Sequence, residues 1–377
     1  MNEIVELLGQ LVAIDSINPD LVPGGAGEGE IARFVANWLE RAGLEVELDE
    51  PAPGRPSVVG VARGNGGGRS LILNAHMDTV GVAGMERPHD PVVKGNRLYG
   101  RGSFDMKGGL AAIMLAAAAA KKRGLRGDVI LTAVSDEEYA SIGTSSIVKR
   151  WHADAAIVTE PTGLDVCVAH KGFLWLEVET SGIAAHGSRP DLGVDAIAKM
   201  GKVLTGLEEL DRLLRSNPSH RLLGSGSLHA SLITGGQELS SYPERCLLSV
   251  ERRTIPGETQ ASVESEMRKV FDQVGASDPA FKASLRTTLV RDAFEVSEDE
   301  PIVQVVRRQA AALLGREPAI VGATAWMDSA ILSAAGIPTV VFGPGGEGAH
   351  AVVEWVDLEQ VGRCVEVLVA CAGEFCG

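Results

Sequence analysis

Short apolar runs that stop at a polar, chemistry-bearing residue recur along this chain. Leu71 to Val80, LILNAHMDTV, begins as a mostly apolar stretch and breaks at His76, Met77 and Asp78. That is the pattern of a strand buried on both faces, as in a parallel sheet. Val129 to Val134 is another such run, followed by Ser135-Asp136-Glu137-Glu138. Ala155 to Val158 leads into Thr159-Glu160-Pro161, and Pro338 to Phe342 leads into GPGGEGAH, which ends in His350. Elsewhere the periodicity is helical. Glu3 to Ile14 spaces Ile4, Val5, Leu7, Leu8, Leu11 and Val12 along a helix face, and Glu30 to Ala42 is amphipathic with Gly43 as a C-cap. A helix very rich in alanine runs from about Gly108 to Lys122. Val46 to Leu48 and Ser57 to Ala62 read as strands, and Asn18 to Gly29 as a loop. Helices alternating with apolar strands predict an α/β fold whose sheet is mixed but mostly parallel and flanked by helices.

From about Lys171 to Arg291 the pattern changes. Phe173 to Thr180 alternates like a half-exposed strand, Val194 to Leu214 is helical, Leu228 to Thr234 and Cys246 to Ile255 are strands, Thr259 to Val274 is a helix and Phe281 to Val290 a last strand. The order β-α-β-β-α-β fits a ferredoxin-like α+β sandwich. The expected organisation is one domain over residues 1–170 and 292–377, interrupted by a smaller inserted domain over 171–291.

Composition narrows the function classes. The chain has 377 residues, 45% hydrophobic and 23% charged, with a formal net charge of -15. Such an acidic balance speaks against non-specific binding to nucleic acid or to anionic membranes. Met1 to Ala13 lacks a basic n-region, and no apolar run reaches about 18 residues, the length a membrane span needs. The five cysteines, Cys167, Cys246, Cys364, Cys371 and Cys376, show no Cys-x-x-Cys spacing, so they read as reduced thiols of a cytoplasmic protein rather than zinc ligands.

Taken singly, the polar residues at the strand ends have ordinary explanations. His76 fits a core histidine, Asp105 a helix N-cap, Glu137 and Glu138 a solvated pair, Glu160 a loop carboxylate, and His350 an exposed loop histidine. Jointly they mean more. Parallel strands ending at 75, 134, 158 and 342 bring two histidines and several carboxylates to one sheet edge. Uncompensated, those carboxylates repel one another; a pair of divalent cations resolves the repulsion, and His, Asp and Glu are ligands that suit zinc. A carboxylate two residues after His76, at Asp78, fits a partner that orients the imidazole.

HMDTV, GRGSFDMKGG, SDEE, TEP, AAHGSRP and the terminal GAHAVVEWV together resemble the co-catalytic zinc amidohydrolases and metallopeptidases, the family of acetylornithine deacetylase, succinyl-diaminopimelate desuccinylase, glutamate carboxypeptidase of the carboxypeptidase G type and aminoacylase. The similarity spans nearly the whole chain in order. It implies a zinc-exopeptidase-like fold with an inserted lid. It implies that His76 and Glu160 bind one metal ion, Glu138 and His350 the other, and that Asp105 bridges them. The metals would be two divalent ions, zinc first, with cobalt or manganese also accepted by this ligand set. Asp78 would hold His76, and Glu137 would be the general base that takes a proton from metal-activated water. His186, in AAHGSRP, would stabilise the oxyanion from the neighbouring subunit, which implies a homodimer built through the inserted domain. Arg253, in VERRTIPGE, would bind a substrate carboxylate, while Arg252 points to the opposite strand face.

The implied activity is hydrolysis of the amide bond of an N-acyl amino acid. A di- or carboxypeptidase acting on a dipeptide is the alternative enzyme, and a catalytically silent metabolite-binding relative the alternative outside enzymes. Two departures bear on substrate. Ser240 stands where many relatives carry asparagine, and Trp326, in GATAWMD, is bulky for a pocket wall.

Overall fold

Leu71–His76, Val129–Val134, Ala155–Val158 and Thr339–Val341 lie side by side in the computed structural model, which describes residues 2–377. Met1, the start of the expected 1–170 segment, lies outside them. The spatial order is Val129–Val134, Leu71–His76, Ala155–Val158, Thr339–Val341, and each neighbouring pair is parallel. His76 stands opposite Val134, Asn74 opposite Val158, and Val341 opposite Val158, so the carboxyl ends open on one edge. Flanking strands run the other way: Ser57–Ala62 pairs antiparallel with Val129–Val134, Glu45–Asp49 with Ser57–Ala62, and Val341 with Cys167 of Val166–His170. The sheet is therefore mixed, with its parallel part at the centre. Every residue of 57–62, 71–76, 129–134 and 155–158 is buried, which is why these strands read as unbroken apolar runs rather than alternating ones.

Helices cover this sheet at close range. The Gly29–Arg41 helix turns Ile31, Ala32, Val35 and Leu39 inward, and a Cβ at Gly60 would meet Leu39 at 2.7 Å. The Gly108–Arg123 helix buries Ala111, Ala112, Ala116 and Ala117, small side chains that let it approach the strands. A Cβ at Gly109 would stand 2.3 Å from the Thr159 carbonyl oxygen. Among the described residues, Ser103–Arg123 is the one helical stretch whose length and composition suffice to cross a membrane, but 83% of its apolar window is buried inside the protein, the burial of a core helix.

The chain divides into two compact units. The first runs to Val168 and resumes over Val296–Val321 and Met327–Gly377; the second comprises Ala169–Glu295 and Gly322–Trp326. Within the second, the strand order is Ser227–Gly235, Arg245–Thr254, Gly172–Ser181, Ala283–Arg291, all antiparallel. Two helices, Ala196–Arg215 and Gln260–Ser277, pack Met200, Val203, Leu207, Val263, Met267 and Val270 against Leu174, Leu176 and Val178 of the sheet. Asp195 caps the first by accepting from Ala198 N–H, and Thr259 and Ser262 form a capping box on the second. Gly322–Trp326 joins this unit, whereas a division at 171 and 292 puts it in the other. The Trp326 ring is the reason: it meets His170 and Phe173 at 6.2 and 6.4 Å between centroids, and its Nε1 donates to the Asp292 carbonyl at 3.1 Å.

The Gly109 contact yields a test. Alanine there gains helix propensity but drives a methyl into the backbone just before Glu160. We expect Gly109→Ala to cost a net ~1–2 kcal/mol of stability, read as a lower urea midpoint. An unchanged or raised midpoint would contradict this packing.

Candidate metal centre

His76 is the last residue of its strand and is 1% exposed. Its Nδ1 donates to the Asp78 backbone carbonyl at 3.0 Å, which leaves Nε2 free to act as a ligand. Nε2 faces Asp105 Oδ1 at 3.2 Å, Glu160 Oε1 at 3.6 Å and Glu137 Oε2 at 4.0 Å. The other oxygen of Asp105, Oδ2, lies 3.3 Å from His350 Nε2, and that nitrogen lies 3.1 Å from Glu138 Oε2. Asp105 thus turns one oxygen to each histidine. The parallel strand ends deliver His76, Glu137, Glu138 and Glu160. Asp105 comes from the turn before the Gly108–Arg123 helix, and His350 from the loop after Thr339–Val341. Candidate ligand atoms of His76, Glu137 and Glu160, and of His76, Asp105 and Glu138, lie within 4.8 Å of one another.

The electrostatics follow from this crowding. Burial, then the charge of Glu160, pushes the Glu137 carboxyl well above its ordinary range. Burial, together with Asp105 and Glu138, does the same to Glu160. Burial, then Asp105, pushes Glu138 up to about 7. Burial opposes charge on His76, but Asp105, Glu160, Glu137 and Asp78 outweigh it and raise its pKa well above the imidazole norm. Hydrogen bonds to Asp105 and Glu138 raise His350 to about 10. These are the marks of several carboxylates crowded about two imidazoles. Glu138 Oε1 is buried with no hydrogen-bond partner among the described residues. Divalent cations fit the donor set: two imidazole nitrogens facing inward, carboxylates on both sides, and an orphaned buried oxygen.

A further set of buried groups stands behind these side chains. The Asp78 carboxylate is 3.6 Å from His76 Nδ1, longer than a hydrogen bond, so the hold on the imidazole comes from the Asp78 carbonyl instead. The carboxylate is taken up elsewhere: it accepts from Glu137 N–H at 3.0 Å, Glu138 N–H at 3.2 Å and Asn18 Nδ2 at 2.8 Å. Asn18 Nδ2 also donates to Asp136 at 3.0 Å. Arg55 forks onto Glu28 at 2.7 and 2.8 Å and reaches Asp136 at 2.8 Å. Asp136 and His350 are two of the four non-glycine residues with positive φ among those described, at 67° and 60°. Such backbone is sparsely populated and collects at functional sites. Asn18, Glu28 and Arg55 carry no motif-level signal, and Asp136, though part of SDEE, shows none of this role there, because their partners are 27 to 118 residues away.

His186 and Arg253 belong to the second unit. His186 is exposed; its Nδ1 accepts from Ser188 N–H at 3.2 Å, which places the ring proton on Nε2. The Ser240 carbonyl accepts from Gly187 N–H at 2.7 Å, so the backbone at this position holds the His186 turn while its hydroxyl faces Glu238. Arg253 bonds Glu251 at 2.6 Å and lies 5.0 Å over the Phe173 ring. Arg252 points the other way, fully buried against Glu258 and Glu266, as strand alternation requires.

With this candidate metal centre at the parallel strand ends of its mixed α/β sheet, the chain is placed by its relatives among the metallo-hydrolases of amide or peptide bonds. The model of peptidase family M20/M25/M40 matches residues 72–374, and the chain belongs to that family. It is 31% identical to the acetylornithine deacetylase of Myxococcus xanthus, over 98% of this chain and 97% of that one. It is 29% identical to the N-formyl-4-amino-5-aminomethyl-2-methylpyrimidine deformylase of Bacillus subtilis, over 97% and 93%. Among solved structures it resembles the aminopeptidase PepT of Bacillus cereus, with TM-score 0.81 at 20% identity over 100% of this chain and 99% of that one. It also resembles a dinuclear metal-binding M20 peptidase of Bacillus subtilis, with TM-score 0.77 at 16% identity over 100% and 98%.

The raised carboxyl pKa values carry a sign. Below about 7 Glu138 holds a proton that an incoming cation must displace, so zinc affinity should rise with pH through that value. Calorimetry in buffers of different ionisation heat should show proton release on binding. Heats independent of buffer, with affinity flat across the neutral range, would contradict the description of the cluster.

Proposed function

We propose that this chain is a two-metal amidohydrolase that removes a small acyl group from an acylated amine, with N-acyl amino acids as the leading substrate class. The observation that carries the reading is the pairing of two trios, His76 with Glu160 and His350 with Glu138, each sharing Asp105, with Glu137 beside them. In this reading His76 and Glu160 hold one cation, His350 and Glu138 the other, and Asp105 both. Zinc is the proposed metal, and cobalt or manganese are accepted by the same donors. The cations, when bound, polarise the amide carbonyl and acidify water. Glu137 takes the proton of the attacking water and passes it to the leaving nitrogen. Asp78 aims Glu137 through the Glu137 and Glu138 N–H groups.

Small acyl groups are favoured because the relatives near 30% identity are named a deformylase and a deacetylase. A dipeptidase or carboxypeptidase activity is the second reading, since Arg253 offers a planar fork for a free carboxylate. A silent binding protein would have no use for Glu137 aimed at the cluster.

The second unit is proposed as lid and dimer contact. Ser227–Gly235 is an edge strand, with Leu232 70% and Ile233 52% exposed, an open edge of the kind that pairs with another copy. A His186 ring with its proton on Nε2 suits an oxyanion donor to the partner's site. The cysteines, all buried and free of disulfides, support a cytoplasmic location.

The test is a panel of N-formyl and N-acetyl amines, N-acetylornithine, succinyl-diaminopimelate and dipeptides, offered to zinc-loaded protein. Turnover confined to dipeptides would overturn the deacylase reading, and turnover of none would overturn the enzyme. Glu137→Gln should keep its metal and lose turnover by about 10²–10⁴-fold. Retained turnover removes Glu137 from the role of base. Mixing inactive His186→Ala and Glu137→Gln chains should restore activity that neither has alone; no restoration would argue against a donor supplied across the dimer.

A further inference from the structure

Glu354 lies four residues past His350 and is 1% exposed. Both of its oxygens are saturated by one turn of distant chain. Oε1 accepts from Phe104 N–H at 2.9 Å and from Asp105 N–H at 3.1 Å; Oε2 accepts from Gly102 N–H at 3.0 Å and from Arg101 Nη1 at 2.6 Å. Successive N–H groups converging on one anion make a backbone nest. The nest requires Gly102, whose φ is 77° and whose Cβ would meet Thr79 at 2.6 Å. Arg101, itself 2% exposed, then donates Nη2 to the Ala351 carbonyl at 3.0 Å and Nε to the Gly81 carbonyl at 3.1 Å. One buried ion pair therefore ties the turn that carries Asp105 to the residue next to His350.

We propose that Glu354 is a positioning residue of the metal centre, which fixes Asp105 relative to His350 and so sets how tightly both cations are held. Asp105 faces both histidines, so an error of its main chain is felt on both sides of the cluster. A carboxylate that grips the Asp105 N–H from behind removes the freedom that would produce such an error. Nothing but a carboxylate serves here, because all four donors point at it. A glutamine side chain in its place would turn an N–H₂ toward Arg101 or the nest, and a donor facing a donor opens the turn. Groups that orient metal ligands from behind change metal affinity by about 10–100-fold when altered.

The inference rests on reading the cluster as a two-cation centre, and one experiment separates the two. Zinc is titrated into metal-free full-length protein by calorimetry in competition with a chelator, for wild type, Glu354→Gln and Arg101→Lys, with melting of the metal-free forms alongside. We expect wild type to bind two zinc ions, and Glu354→Gln to bind both about 10–100-fold more weakly. Arg101→Lys keeps the charge but loses the fork, and should weaken binding in the same direction; it stands in for Glu354→Gln if that chain does not fold. Wild-type zinc affinity in a folded variant, even with a lowered melting temperature, would make the pair a structural ion pair only and overturn the proposal. Failure of the wild type to bind zinc would overturn the two-cation reading itself.

Discussion

Like charges buried at close range are the constraint around which the first unit is arranged. Asp105, Glu137, Glu138 and Glu160 gather about the imidazoles of His76, which is buried, and His350, which is open to solvent on one side. The parallel strand ends bring His76, Glu137, Glu138 and Glu160 to a common edge, and a turn and a loop add Asp105 and His350. In an apolar interior such a cluster either holds protons or holds cations. The same conflict makes the site costly to fold and raises the affinity of Glu137 for a proton.

Holding such groups still requires more than the strands. Two buried networks do it, each pairing an arginine with carboxylates that the solvent does not reach. Arg55 with Glu28 and Asp136 lies behind the Glu137–Glu138 segment, linked to Asp78 through Asn18. Arg101 with Glu354 lies behind Asp105. Buried ion pairs contribute little net stability compared with apolar packing of the same volume, yet removing one partner is strongly destabilising. Their value here is geometric: the peptide N–H groups of Glu137, Glu138 and Asp105 each have a fixed acceptor.

Much of this was legible in the residues alone. Val129–Val134 and Ala155–Val158 read true to the residue, because strands buried on both faces leave a continuous apolar signal that stops where chemistry starts. The inserted β-α-β-β-α-β pattern was visible because its strands bury one face and alternate, as in Gly172–Ser181. The five proposed ligands were legible only as a set, since each has a bland explanation alone. What the pattern hid were residues whose meaning is a partner far away in sequence. Glu354 looks like a loop acid until Gly102, Phe104 and Asp105 close on it from about 250 positions earlier. Lys107, in GRGSFDMKGG, is fully buried and donates to the Ile14 carbonyl, 93 residues earlier. The Asp78 carboxylate suggested a clamp on His76, and the backbone took that task because the carboxylate was engaged by the Glu137 and Glu138 amides.

Anomalous scattering from a crystal grown with zinc, recorded on both sides of the zinc absorption edge, tests the central claim most directly. Two peaks per chain are expected, one among His76, Glu160 and Asp105 and the other among His350, Glu138 and Asp105. A lone peak, or zinc bound elsewhere while these side chains stay empty and protonated, would contradict the two-cation centre.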